Sequence, residues 1–145
     1  MNFMNSVNGL CSKFKFLAQL FSRVVIGIVF MSSGWWKLHN LSQVIEFFKS
    51  LSIPVPEWHA PFVAGMELVC GVAILLGIFT QIASVPLIVI MVMAIVTAKM
   101  GDIKTLSDLL EMSEFLYIGM LLWLMAEGAG PISLSAPFCK KKAKK

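Results

Sequence analysis

Residues 64–79, AGMELVCGVAILLGIF, decide how the chain is read. Every side chain in the stretch suits lipid except Glu67. A lone carboxylate in such a segment must cap something, pair with something or handle protons, because an unpaired charge in mid-bilayer costs about 2.5 to 3.5 kcal/mol. Which of these applies depends on what the rest of the chain can bring to it.

Outward from that stretch the composition keeps the same character. Of 145 residues 58% are apolar and only 14% charged, and the mean hydropathy is +0.84. That is too apolar for an ordinary soluble domain and fits an integral membrane protein. Ten methionines and eleven phenylalanines suit lipid-facing and interhelical packing and carry no catalytic message. The three cysteines, Cys11, Cys70 and Cys139, lack the spacing of a dithiol or metal site. His39 and His59 are the only histidines and have no ligand spacing, so no metal is expected. The net charge of +4 comes mostly from CKKKAKK at 139–145; beside membrane segments such a tail sets topology or touches anionic lipid, and no nucleic-acid partner is expected.

A helix needs roughly 20 residues to cross about 30 Å of hydrocarbon. Four stretches are expected to do so: 17–36, interrupted by Arg23; 60–79, interrupted by Glu67; 82–98, with Pro86 near its start; and 108–126. The fourth is extended back to Asp108 because only twelve uncharged residues separate Glu114 from Glu127, and Asp108 and Glu111 have the spacing of a capping box. The first span has a basic lead in Lys13 and Lys15, as a signal peptide would, but its long apolar run continues into Trp35 and Trp36, which favours an uncleaved helix. Between the first two spans, LSQVIEFFKSLSIPVPEW at 41–58 places Val44, Ile45, Phe47, Phe48 and Leu51 at helical spacing, the pattern of a short helix lying on the bilayer surface. The expected fold is therefore an all-α, four-span antiparallel transmembrane bundle with one interfacial helix in the first outer loop, a single domain over 1–137, and a basic tail at 138–145. The basic residues at both ends place both termini in the cytoplasm, and an inner membrane is the expected location.

Depths follow from helical rise. Glu67 and Glu114 each fall about 9 to 10 Å below the outer boundary, with Lys37 and Lys99 close above and Tyr117 one turn beyond Glu114 on the same face. Two acids at one level either share a proton or are held apart by the lysines. Arg23 and Glu127 lie near the opposite boundary and are expected to form a structural ion pair between the first and fourth helices. Trp35, Trp36 and Trp58 suit an aromatic belt or the wall of a site for a flat ring. Gly65, Gly71 and Gly77 recur along the second span, where small residues allow close helix approach. No Walker, Rossmann, Ser-His-Asp or H-E-x-x-H pattern is present.

RVVIGIVFMSSGWWKL at 23–38, FFKSLSIPVPEWHAPFVAGMELVCGVAILLGIFTQIAS at 47–84 and EGAGPISLS at 127–135 together resemble the DoxX family of small bacterial four-helix membrane proteins. Arg23, Gly34 and Lys37 match its arginine-led first helix; Phe48, Pro54, Glu67, Leu68 and Gly71 match its middle; Gly128, Gly130, Ser133 and Leu134 match its closing motif. Gln81, Ser135 and Cys70 depart from the usual pattern. The resemblance implies a membrane subunit of a quinone-linked redox system. Such a subunit would bind quinone or a similar lipid-soluble ring near Glu67 and Glu114 as proton-handling groups, with Trp36, Lys37, Tyr117 and Lys99 as ligand-binding residues. The lipid bilayer, a redox partner protein and a second copy of the chain are its implied partners. With no haem, flavin or thiol motif, electrons must come from that partner. A non-catalytic scaffold or assembly partner is the alternative, and a transporter of protons or a small solute is a third reading.

Overall fold

A computed structural model describes residues 2–99, 101 and 106–128. All the elements among them are helices: α1 (Asn2–His39), α2 (Leu41–Ser50), α3 (Pro56–Leu76), α4 (Thr80–Ala94) continued by a π turn (Ile95–Lys99), α5 (Leu106–Glu111) and α6 (Ser113–Glu127). The tail at 138–145 and the motif residues Gly130, Ser133 and Leu134 lie outside the described residues.

Three segments are long and apolar enough to cross a membrane: Leu17–His39, Pro56–Leu76 and Thr80–Lys99. At 1.5 Å per residue they extend about 30 to 35 Å. The expectation of four spans is thus corrected to three. The region expected to form the fourth is divided at Met112, whose extended backbone (φ −69°, ψ 130°) separates α5 from α6. The remaining 15-residue α6 reaches only about 22 Å. The break has a physical rationale: one continuous helix would carry Glu114 about two turns down its axis, whereas a new start at Ser113 leaves Glu114 in the first turn of α6, where the helix dipole favours a carboxylate.

α1 packs most extensively against α3, α4 packs against both α3 and α6, and α2 lies over α3. On α1 the buried positions Gln19, Arg23, Ile26, Gly27, Phe30 and Gly34 recur every three or four residues, the stripe of a helix with one interior face. Its counterpart on α3 is Ala60, Ala64, Glu67, Cys70, Gly71 and Ile74. The two backbones come close enough that a Cβ added at Gly34 would stand 2.5 Å from the Leu68 amide nitrogen, and one at Gly71 would stand 2.6 Å from that of Met31. Without a hydrophobic drive between helices in lipid, such small-residue contacts supply the packing. They also carry Ser33 and Lys37 of α1 alongside Glu67 of α3. Ile26, Phe30, Ile74, Leu87, Leu121 and Leu124 fill the interior between α1, α3, α4 and α6.

The hairpin between the second and third spans also differs from expectation. α3 runs from Pro56 to Leu76, starting four residues earlier and ending three residues sooner than 60–79. Gly77 adopts the left-handed conformation (φ 72°), with its amide donating to the Ile74 carbonyl at 3.0 Å and the Ile78 amide to Ala73 at 2.8 Å, the pairing of a Schellman C-cap. α4 begins directly at Thr80, so Pro86 falls in its second turn and not at its start.

Candidate functional site

Glu67 is fully buried, with 0% of its surface exposed. Lys37 Nζ donates to both carboxylate oxygens, at 2.6 and 2.8 Å. Ser33 Oγ donates to Oε2 at 2.9 Å. Ser33 and Lys37 are four residues apart on α1 and so share the face that Gly34 presses onto α3. The lysine is about one quarter exposed, so its charge opens toward the end of the bundle while the carboxylate stays inside.

Glu114 has a separate lysine. Lys99, the last residue of the π turn, places Nζ 2.8 Å from Oε1 and 2.9 Å from Oε2, and Ser113 Oγ donates to Oε2 at 3.2 Å. The widened π turn closes α4 just where it meets α6, and such turns are frequent at functional positions. Of the two acids expected at one level, each is paired with its own lysine.

Two cavities meet at Lys37. The smaller, of about 200 Å³, is bounded by Ser33, Lys37, Glu114 and Tyr117, with Phe30 and Met91 beneath. Tyr117 packs edge-on against Phe30, with ring centroids 6.1 Å apart. The larger, of about 870 Å³, lies among α2, α3 and the end of α4. Its wall is almost wholly apolar, with Val44, Phe48, Phe62, Val89 and Met93 prominent, and Trp36 stands on it together with the Lys37–Glu67 pair. The structure thus brings Trp36, Lys37 and Glu67 to one cavity and Lys37, Glu114 and Tyr117 to the other. Lys99 reaches the second through Glu114.

Arg23 and Glu127 are arranged differently from the expected ion pair. Among the ion pairs of the described residues it is Lys15 that closes on Glu127, at 2.8 Å. Arg23, 4% exposed, donates from Nε to the Ile74 carbonyl (3.3 Å) and from Nη2 to the Leu75 carbonyl (3.1 Å). The guanidinium therefore caps the C-terminus of α3, supplying a donor to Leu75 and a second donor to the Ile74 carbonyl that the Gly77 amide also meets, at the helix end where the dipole favours a cation. Helical rise brings Arg23 within reach of Glu127, but α3 ends at Leu76 beside Arg23, and the guanidinium meets the carbonyls there instead. Gln19 does the same for α6, donating to the carbonyls of Glu127 (3.3 Å) and Gly128 (2.6 Å), and Gln81 donates to Met125 at 3.0 Å.

Sequence reasoning passed over Ser33, although its i to i+4 relation to Lys37 marks it. It also passed over Gln19, which stands four residues from both Lys15 and Arg23 on one face of α1. It gave the α2 residues no part in the site, although Val44 and Phe48 form a side of the larger cavity. Among the described residues no group of His, Cys, Asp and Glu side chains could hold a metal ion.

The family model for DoxX matches residues 18–100. An uncharacterized membrane protein of Mycobacterium tuberculosis is 38% identical over 83 residues, covering 57% of this chain and 51% of that protein. A Bacillus subtilis protein named "Putative oxidoreductase CatD" is 32% identical over 84 residues, covering 58% of this chain and 61% of that protein. The chain therefore matches only about half to three-fifths of the length of these relatives. No solved structure matches.

Proposed function

Since the chain belongs to the DoxX family of membrane proteins, we propose that it is the membrane subunit of a redox system, and that its larger cavity receives a quinone or a similar lipid-soluble ring. The observation that carries this reading is the cavity of about 870 Å³ whose apolar wall ends on a lysine–glutamate pair. Ligand sites of this kind are largely apolar with a few placed polar groups, and typical volumes are about 300 to 1,000 Å³. A ring with carbonyl oxygens fits both parts: the ring and its tail against Phe48, Phe62 and Val89, and a carbonyl toward the Lys37 ammonium. Trp36 offers a flat face on the same wall. The kinship with a protein named as a putative oxidoreductase supports a redox setting.

The quinone supplies the redox chemistry when it is bound. The chain's own part is to hold the ring out of water, orient it through Lys37, and exchange a proton at the Glu67 carboxylate. Electrons come from a partner protein. On this reading the bilayer is a bacterial inner membrane, and Lys13 and Lys15 hold the N-terminus on the cytoplasmic side.

The test is a titration of purified protein with a short-chain quinone, read by tryptophan fluorescence. Saturable quenching is expected, mostly lost in Trp36→Phe and shifted about tenfold to higher concentration in Lys37→Met, equivalent to about 1.4 kcal/mol. Unquenched fluorescence at saturating quinone ends the proposal and leaves the assembly-partner reading, which the carbonyl-capping roles of Arg23 and Gln19 favour.

A further inference from the structure

The smaller cavity is walled by polar groups on sides that face one another. Ser33 and Lys37 come from α1, and Glu114 and Tyr117 from α6. Two of Lys37's three donors go to Glu67, which leaves one N–H available, and Ser33 retains acceptor lone pairs after donating to Glu67. Tyr117 borders the same space. A volume of about 200 Å³ has room for several waters at about 30 Å³ each, and a buried water needs two to four polar partners. Those partners are present here.

We propose that this chamber holds water that joins the Lys99–Glu114 pair to the Lys37–Glu67 pair and is the proton route to the larger cavity. Its two ends are fixed by geometry. Glu114 is partly exposed and held at the first turn of α6 by Lys99; Glu67 is fully buried and borders the larger cavity. The partition between chamber and cavity is one side chain thick, because Lys37 borders both. A proton arriving at Glu114 therefore crosses hydrogen-bonded water past Tyr117 to Ser33, whose hydroxyl takes it up and passes its own proton to Glu67 Oε2. Tyr117 is a positioning residue that orders this water. The destination of the proton rests on the ring-binding reading above; the hydration of the chamber does not.

The experiment is carried out in lipid nanodiscs with the full chain. In the unsubstituted protein, hydroxyl-radical footprinting is expected to oxidise Tyr117 faster than Trp123, a residue of comparable reactivity on an exposed face of the same helix. In a chain whose native cysteines are replaced by alanine, Val29→Cys, on the chamber wall, is expected to react with a small charged thiol reagent at least about tenfold faster than Val69→Cys, since only a hydrated thiol ionises readily. Val69 is exposed on the outer face of α3. Equal rates at the two cysteines, or Tyr117 oxidised no faster than Trp123, overturn the proposal; the footprinting arm holds even if a cysteine variant fails to fold. A third position, Thr97→Cys on the larger cavity, reports on the ring-binding reading alone. Quinone should protect it and leave Val29→Cys unprotected. Protection lost at Thr97 with rapid labelling at Val29 rejects the quinone and keeps the chamber, and the converse rejects the chamber and keeps the quinone.

Discussion

Among the described residues the bundle buries two charged side chains, Arg23 and Glu67, and the two are satisfied in different ways. Arg23 donates to carbonyls at the end of α3, whereas Glu67 is met by two side chains, Lys37 and Ser33. A backbone carbonyl cannot leave, change its charge or be mutated away. A lysine and a serine can turn toward a ligand, and here both border cavities. The contrast separates a charge that fixes a helix end from a charge that remains available for chemistry.

Removing Arg23 should therefore cost more than removing Glu67, and it should be beyond rescue. Arg23→Leu removes the guanidinium's bonds to the Leu75 carbonyl and to the Ile74 carbonyl, the latter keeping the Gly77 amide, and hydrogen bonds to a charged group contribute about 1.5 to 3 kcal/mol each. The expected result is the largest loss of thermal stability in detergent among the single variants, with no second side-chain change restoring it. A variant as stable as the parent would mean that the α3 C-terminus finds other donors, and the contrast would fail.

Glu67→Leu strands the Lys37 ammonium, and breaking a buried pair costs about 3 to 5 kcal/mol, less here to the extent that the lysine swings outward. Adding Lys37→Met should recover most of that loss, because a buried ion pair replaced by apolar side chains is often neutral or better. Melting temperatures of the two singles and the double close the cycle. A double variant no more stable than Glu67→Leu would show that the pair is bound into the fold as tightly as Arg23.

The seam that holds Glu67 in place is the next test. Gly34→Ala puts a methyl group 2.5 Å from the Leu68 nitrogen and 2.7 Å from the Ala64 carbonyl, both backbone atoms, so α1 and α3 must part. Overpacking of this kind costs about 1 to 3 kcal/mol. The loss should be less than additive with Glu67→Leu, since parting the helices already loosens the contacts that the second change removes.

These expectations also show what the sequence could and could not reveal. Glu67 in an apolar run required an internal partner, but Lys37 and Lys99 stood at the same height by helical rise and a proton shared with Glu114 was equally open; that Lys37 meets Glu67 follows from the packing of α1 on α3. Gly71 was read as a point of close approach, and the structure places it against α1. Gly77, read as part of the same repeat, is instead a left-handed helix end; its position before a new apolar run was the signal, obscured by a hydrophobic pattern that continues across the turn. That one misplaced boundary also hid the role of Arg23, whose acceptors are defined only by where α3 stops. The fourth span failed for a related reason. Twelve uncharged residues between two glutamates were too few to span, and lengthening the helix backwards satisfied the length rule while ignoring that Ser113 and Glu114 suit a new helix start. Hydropathy registers how apolar a segment is, but a single extended residue such as Met112 leaves no trace in it.

The smallest effect is expected where a charge pair meets water. Lys15 and Glu127 lie 2.8 Å apart, with 54% and 33% of their side chains exposed, and surface pairs contribute about 0 to 1 kcal/mol. Lys15→Ala should accordingly shift the melting temperature little, and the shift should vanish at high salt as the Debye length contracts. The Glu67 variant should keep its loss in the same salt, because the carboxylate has no exposed surface at which bulk ions could screen it. Measuring both variants across one salt series places a surface pair and a buried pair of identical chemistry on a single axis. If the two respond alike, water reaches Glu67 as freely as it reaches Glu127, and the distinction between the ends loses its physical basis.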